Sequence, residues 1–387
     1  MKAGARKENR VQVVITGLGL RCGLGDRLQA WERLQRGETA IQLRQPFADL
    51  PVLPMAMLGK APIDLELLRQ ELVAATLADA NLTTPLENCG IVIGSSRGFQ
   101  GQWERLRCKY RQGDLADLEH WLAYLPHQLA IASAQQIGST GPMLAPMGAC
   151  TTGLWAIAQG FELLQRGDCT QVLAGAVESP ITPLSVTGFQ KMGALATTGC
   201  FPFDHRREGL VLGEGGAMFL LETLESAQQR DAEIYGTVLG WSFTCDAHHM
   251  NAPQGNHQAA MKAIAQCLER SSLEPKDIDH IHPHGTSTQL NDQAEAAMIQ
   301  QLFPYRPLVA GSKGATGHTL GASGALGVAF SLLMLREQRL FPSVGLAQPE
   351  FDLNFVRQTQ DHPLHNVLCL SFGFGGQNGA IALQKLG

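Results

Sequence analysis

The chain has 387 residues, of which 17% are charged and 42 are glycine, with a formal net charge of −5. So few charges and so many glycines describe a protein with much buried backbone and many tight turns, and exclude a disordered or solvating chain. No block of five like charges is present, which argues against a nucleic-acid surface.

In chain order, residues 1–10 carry basic side chains but no apolar stretch of secretory type, and no run approaches the ~20 apolar residues of a membrane span. The β-branched run at 11–16 reads as a buried strand ending in a glycine turn at Gly17, Gly19 and Gly23. That spacing is one residue too long for a dinucleotide fingerprint, and no acidic residue follows a second strand, so the reading is an ordinary strand-to-helix turn. Further strands are expected at 90–93, 171–174, 215–222, 280–284, 307–310 and 367–372, separated by helical patterns such as 254–271. Strands alternating with helices place the chain in the α/β class. Two glycine-rich segments, 148–168 and 321–338, each open a helix with almost no polar face. Such helices belong in a core, and the echo suggests duplication around one centre.

Nine cysteines, odd in number and never spaced as CxxC, suit free thiols in a reducing cytoplasm. Cys150, in Gly148-Ala-Cys-Thr-Thr-Gly153, stands at the start of a buried helix. There the free N–H groups and helix dipole are expected to lower the thiol pKa and to offer donors to an oxyanion. A small buried cysteine that merely packs is the alternative. His280, His282 and His284 alternate along one strand face, but ~13 Å of spread is too much for one zinc. His284, at the strand end before Gly285, is better placed for chemistry. Lys313 and His318 lie in a glycine-rich loop that lacks the phosphate-loop order. Residues 372–379 hold four glycines that free backbone N–H groups to point into a site, or else form a tight hairpin.

With these motifs in order, GACTTG at 148–153, HGTST at 284–288 and KGATGHTLGASG at 313–324, the chain resembles the beta-ketoacyl-acyl carrier protein synthases of the thiolase superfamily, nearly end to end. The resemblance implies the thiolase fold, with duplicated βαβαβαββ halves in a five-layered α/β/α/β/α arrangement. Residues 1–225 would carry the nucleophilic cysteine and 226–387 the two histidines. It implies that Cys150 accepts an acyl chain, that His284 and His318 promote loss of carbon dioxide from a malonyl thioester, and that Lys313 pairs with Glu295. Thr286 and Thr288 would hold the phosphopantetheine arm, and the Phe374 N–H would join that of Cys150 in an oxyanion hole, with its ring as a gate. Counting without gaps from Gly94 puts Trp103 where an acyl-pocket residue is expected.

The implied partners are an acyl carrier protein bearing acyl and malonyl thioesters and a second copy of the chain in a homodimer. No cofactor or metal is expected. Thr151, Asn251 and Gln377 depart from the family pattern, and the segment between Leu43 and Leu65 is short, which bears on substrate choice. Asp114, Asp117 and Glu119 suggest weakened docking of an acidic carrier, unless Lys109, Arg206 and Arg207 supply attraction. The competing readings are a noncatalytic chain-length partner, in which the cysteine is replaced, and a thiolase or hydrolase. A biosynthetic thiolase would carry a second cysteine in the C-terminal glycine motif, and Gly373 to Gly379 has none.

Overall fold

The computed structural model describes residues 11–386; the basic residues 1–10 lie outside them. The first set of strands is β1 (Val13–Cys22), β2 (Cys89–Gly94), β3 (Met143–Leu144), β4 (Gln171–Glu178) and β5 (Gly215–Thr223). The second set is β6 (Gly236–Cys245), β7 (His280–His282), β8 (Leu308–Val309), β9 (Asn354–Phe355), β10 (Asn366–Gly373) and β11 (Gln377–Gln384). Hydrogen bonding runs continuously in the order β9-β8-β7-β10-β11-β6-β1-β5-β4-β2-β3. Reading outward from the β1/β6 seam, both sets follow one order: first strand, fifth, fourth, second, third, with β9 as an addition to the second set. In each, the first three are antiparallel and the outer ones parallel.

Six helices repeat the same way. In the first half α1 (Leu65–Asp79), α2 (Gln128–Ile137) and α3 (Thr152–Arg166) follow β1, β2 and β3. In the second, α4 (Gln258–Arg270), α5 (Gln289–Leu302) and α6 (Ser323–Glu337) follow β6, β7 and β8. Helices α3 and α6 touch strands of both halves and lie between them, while α1 and α2 cover one outer face and α4 and α5 the other. The result is five layers.

Strand side chains show why. Val92, Val172, Ala174, Phe219 and Leu221 join the central core with Val367, Cys369, Ile381 and Leu383. Their neighbours Ile91, Ile93, Leu173 and Leu220 face the outer helices of the first half, and Leu368, Leu370 and Ala382 those of the second. Period-two alternation into two apolar layers accounts for strands that read as continuous hydrophobic runs. Helix α6 is buried on every side. The stretch Leu320–Glu337 is long and apolar enough to cross a membrane by length and composition, but 89% of it is buried inside the fold, so its apolarity is that of a core helix. Truncating Phe330, which is fully buried there, should cost about 3–5 kcal/mol.

Two local readings are corrected. Strand β1 does not turn at Gly17 but continues to Cys22. A Cβ on Gly17 would stand 2.8 Å from the Thr76 oxygen, and one on Gly19 2.6 Å from the Leu72 oxygen, so these glycines let α1 lie directly on the strand. The two helices of the middle layer meet similarly: a Cβ on Gly153 of α3 would be 2.6 Å from the Ala325 nitrogen of α6, and one on Gly324 2.9 Å from Leu154 Cγ. The second correction is that β7 ends at His282, leaving His284 in the following loop.

Candidate active site

Cys150 precedes α3, just after Ala149, whose φ of +47° bends the chain sharply. Its Sγ lies 3.2 Å from His318 Nε2. The His284 and His318 rings meet edge to face with centroids 5.3 Å apart. Ser371 Oγ donates to the Cys150 carbonyl at 2.9 Å, which ties the turn to β10, and the Phe374 N–H is directed at the sulfur. Cys150, His284, His318 and Phe374, with Thr286 and Thr288, line one cavity of about 330 Å³ whose wall also includes Leu210, Asp246 and Asn251. The two threonine hydroxyls are 2.9 Å apart. Cysteine, both histidines, the threonine pair and the phenylalanine are therefore brought together.

Two expectations about charge change. The Cys150 thiol is not lowered: burial pushes it up to about 11, against smaller lowering effects from Lys313, the Phe374 N–H and Arg97. Removing the sulfur from water outweighs the helix start. Lys313 and Glu295, expected as an ion pair, instead hold opposite sides of one peptide. Lys313 Nζ donates to the His284 carbonyl, and the Glu295 carboxylate accepts the His284 N–H at 2.6 Å and the Gly285 N–H at 2.7 Å. The two remain electrostatically linked. Burial lowers the Lys313 pKa while the Glu295 charge opposes that, and burial raises Glu295 to about 7.

Burial, followed by the charge of Lys313, holds His284 and His318 well below the usual imidazole pKa. Both rings are neutral at physiological pH. Nδ1 of each is buried without a hydrogen-bond partner. An unmet lone pair is less costly than an unmet N–H in such surroundings, so the favoured tautomer carries the proton on Nε2. His318 is then a donor on the cavity side.

Trp103 is not part of this cavity. It lies on the helix Gln100–Arg111, 39% exposed, with its indole N–H on the Tyr124 carbonyl at 2.9 Å and its ring 6.4 Å from that of Trp121. Lys109, Arg206 and Arg207, the candidate docking cations, are engaged in ion pairs with Asp117, Asp204 and Glu350.

Three positions were not picked out from sequence. Glu178, fully buried at the end of β4, accepts from Ser95 Oγ at 2.6 Å, from the N–H groups of Ser96 at 2.7 Å and Arg97 at 3.0 Å, and from Gly321 N at 3.1 Å. It ties the loop after β2 to the opening of α6. Arg97 sits over Phe189 at 5.6 Å, and Phe189 packs on Phe374 with centroids 6.0 Å apart. For Glu178 and Arg97 the only sequence signal is position, at or just beyond the carboxyl end of a strand, where α/β proteins build sites; Phe189 lies inside the helix Pro183–Lys191 and carries no such signal.

Residues 65–227 match the beta-ketoacyl synthase N-terminal domain and residues 235–347 its C-terminal domain. The chain belongs to the beta-ketoacyl synthase family. Among curated relatives it is 35% identical over 260 residues to 3-oxoacyl-[acyl-carrier-protein] synthase 2 of Staphylococcus aureus strain COL, a match covering 64% of this chain and 63% of that protein. It is 38% identical over 265 residues to the enzyme of the same name from Synechocystis, covering 65% and 64%. The chain thus spans a little under two thirds of the length of these relatives in the matched region. A beta-ketoacyl synthase from Burkholderia phymatum superposes with a TM-score of 0.90 at 26% identity, over 97% of this chain and all of that one. A ketosynthase solved with its type II polyketide acyl-carrier protein shares the fold with a TM-score of 0.91 at 24% identity, over 98% of this chain and all of its own.

Proposed function

We propose that this synthase condenses an acyl group held on Cys150 with a malonyl-carrier thioester, releasing carbon dioxide and a beta-ketoacyl thioester. The convergence of Cys150 Sγ, His318 and His284 on one cavity, with the Phe374 N–H at the sulfur, carries the reading. In the first step the sulfur attacks the acyl thioester carbonyl. The oxyanion faces the N–H groups of Cys150 and Phe374, and the carrier thiol leaves with the proton. In the second, the malonyl carboxylate departs as carbon dioxide and the electron pair moves onto the thioester oxygen, where the neutral imidazoles of His284 and His318 donate hydrogen bonds. One such donor is worth about 3–4 kcal/mol in comparable sites. The carbanion then attacks acyl-Cys150, and the sulfur leaves as thiolate and recovers a proton.

Lys313 and Glu295 act through position: each grips the peptide of His284 and fixes where its ring points. Thr286 and Thr288 offer paired hydroxyls to the amides of a phosphopantetheine arm. An acyl carrier protein is the partner, in the reducing cytoplasm to which nine free thiols are suited. A homodimer is the expected assembly. The internal pairing of Lys109, Arg206 and Arg207 supports weakened attraction for a strongly acidic carrier. Presence of the cysteine disfavours a noncatalytic chain-length partner.

The test is incubation of purified protein with acyl-carrier and malonyl-carrier thioesters of graded chain length, reading products by mass. A beta-ketoacyl product together with an acyl adduct on Cys150 supports the reading. Acylation of another cysteine, or condensation undiminished in Cys150→Ala, overturns it.

A further inference from the structure

The same cavity presents one sulfur and two imidazoles to a common point. One ligand atom from each of Cys150, His284 and His318 lies within 4.8 Å of the others, and the sulfur and His318 Nε2 are 3.2 Å apart. Tetrahedral zinc, with bonds of ~2.3 Å to sulfur and ~2.0 Å to nitrogen, needs sulfur–nitrogen separations of about 3.5 Å. The Cys150–His318 edge would open by only a few tenths of an ångström. All three side chains are more than nine-tenths buried, so they are held in place by packing, while the cavity gives a cation a route in and leaves room for a fourth ligand. One thiolate with two imidazoles, and no carboxylate, is the donor set that favours zinc-like cations over magnesium or calcium.

We propose that Cys150, His284 and His318 form a reversible inhibitory site for a thiophilic divalent cation of the zinc class, which competes with acylation for the same sulfur. The competition, though not the binding, rests on the reading of Cys150 as the acyl acceptor. Binding exchanges the thiol proton for the metal: an S–H bond breaks, an S–metal bond forms and that proton leaves to solvent, while each imidazole that binds through Nε2 shifts its proton to Nδ1 so that the Nε2 lone pair can take the metal, and nothing is oxidised or reduced.

Two features set the affinity below that of a resident metal. Nδ1 of both histidines lacks a hydrogen-bond partner, so neither ring has the supporting acceptor whose loss weakens metal binding by roughly 10–100-fold. Lys313, bonded to the His284 carbonyl, adds positive charge beside the site. The site is therefore one that a chelator empties.

The experiment uses metal-free wild-type protein. Zinc chloride is titrated calorimetrically, and iodoacetamide modification of Cys150 is followed by mass in parallel. One zinc per chain is expected, with modification slowed about tenfold when free zinc is ten times the dissociation constant and restored by EDTA. Protein acylated beforehand on Cys150 should lose this binding. Cobalt(II) should give a thiolate-to-metal charge-transfer band that disappears in Cys150→Ala, and His284→Ala and His318→Ala should each weaken zinc by at least roughly tenfold. Zinc that does not protect Cys150, the absence of 1:1 binding up to about 1 mM, or binding unchanged in all three alanine variants overturns the proposal. Normal condensation by metal-free protein that zinc does not inhibit defeats the proposal alone. Metal binding in a protein that never condenses defeats only the function assigned above.

Discussion

The loop after β2 and the loop after β7 occupy equivalent places in the two halves, and each is pinned by a buried carboxylate. Glu178 gathers the N–H groups of Ser96, Arg97 and Gly321; Glu295 gathers those of His284 and Gly285. The origins differ, since Glu178 comes from a strand of its own half and Glu295 from the helix after the pinned loop. So does the company they keep. Lys313 holds the far side of the peptide that Glu295 holds, whereas burial raises Glu178 and the opposing effects named beside it are hydrogen bonds from the Ser95 and Ser96 hydroxyls and the Ser96 and Arg97 N–H groups. Duplication thus supplied two similar rims, of which one became a structural tie and the other an imidazole mount. The first half contributes the sulfur, at the start of α3, while the second contributes both histidines and the lysine.

The strongest way to break that division is to remove the histidines. His284→Ala and His318→Ala should each lower malonyl decarboxylation by about 10²–10³, as for loss of one oxyanion donor, while Cys150 still accepts an acyl group. Carbon dioxide release and intact mass measure the two separately, and equal loss of both would show that the histidines serve the sulfur instead.

Exchanging the carboxylates for amides sharpens the contrast. In Glu295→Gln an amide NH₂ would face the His284 or Gly285 N–H, and in Glu178→Gln one would face a backbone N–H of Ser96 or Arg97, so each variant should lose about 1–3 kcal/mol of stability in denaturant melts. Only Glu295→Gln should also reduce decarboxylation, by roughly tenfold or more, because it releases the mount of His284.

The thiol offers a pH test. With Cys150 pushed up to about 11, its thiolate fraction, and hence its alkylation rate, should rise close to tenfold per unit from pH 7 to about 10. A plateau below pH 8 would mean that the helix start dominates after all. The smallest effect is expected at Trp103, outside the cavity: Trp103→Ala should leave the acyl-length profile unchanged and alter stability by about 1 kcal/mol or less.

The contrast between halves also explains what could be read from the chain. His284, His318, Lys313 and Cys150 sit in short motifs whose glycines and position at strand ends mark them locally, and the echo of α3 in α6 is a one-dimensional pattern of small and apolar residues. The continuation of β1 through its glycines was hidden because its cause, the backbone of α1, lies more than fifty residues away. The thiol shift was hidden because desolvation belongs to the assembled layers and to no motif. The surroundings of Trp103 could not be read from a count along the chain, because they are set by the helix of residues 100–111, which turns the indole towards Tyr124 and Trp121. Lys313 and Glu295 were correctly brought to one place, but the peptide between them is a feature of the folded loop.

The close crossing of α3 and α6 has a consequence for biosynthesis. Leu154 and Ala325 rest against the glycines of the opposite helix, so the apolar face of α3 finds its cover only when residues 323–337 have been made. A ribosome adding about 5–20 residues per second therefore exposes a half-built particle for some seconds, with one wall of the central layer wet and the thiol of Cys150 reachable from outside. During that interval the nascent chain is open to chaperone capture and to oxidation, and the arrival of α6 closes both at once.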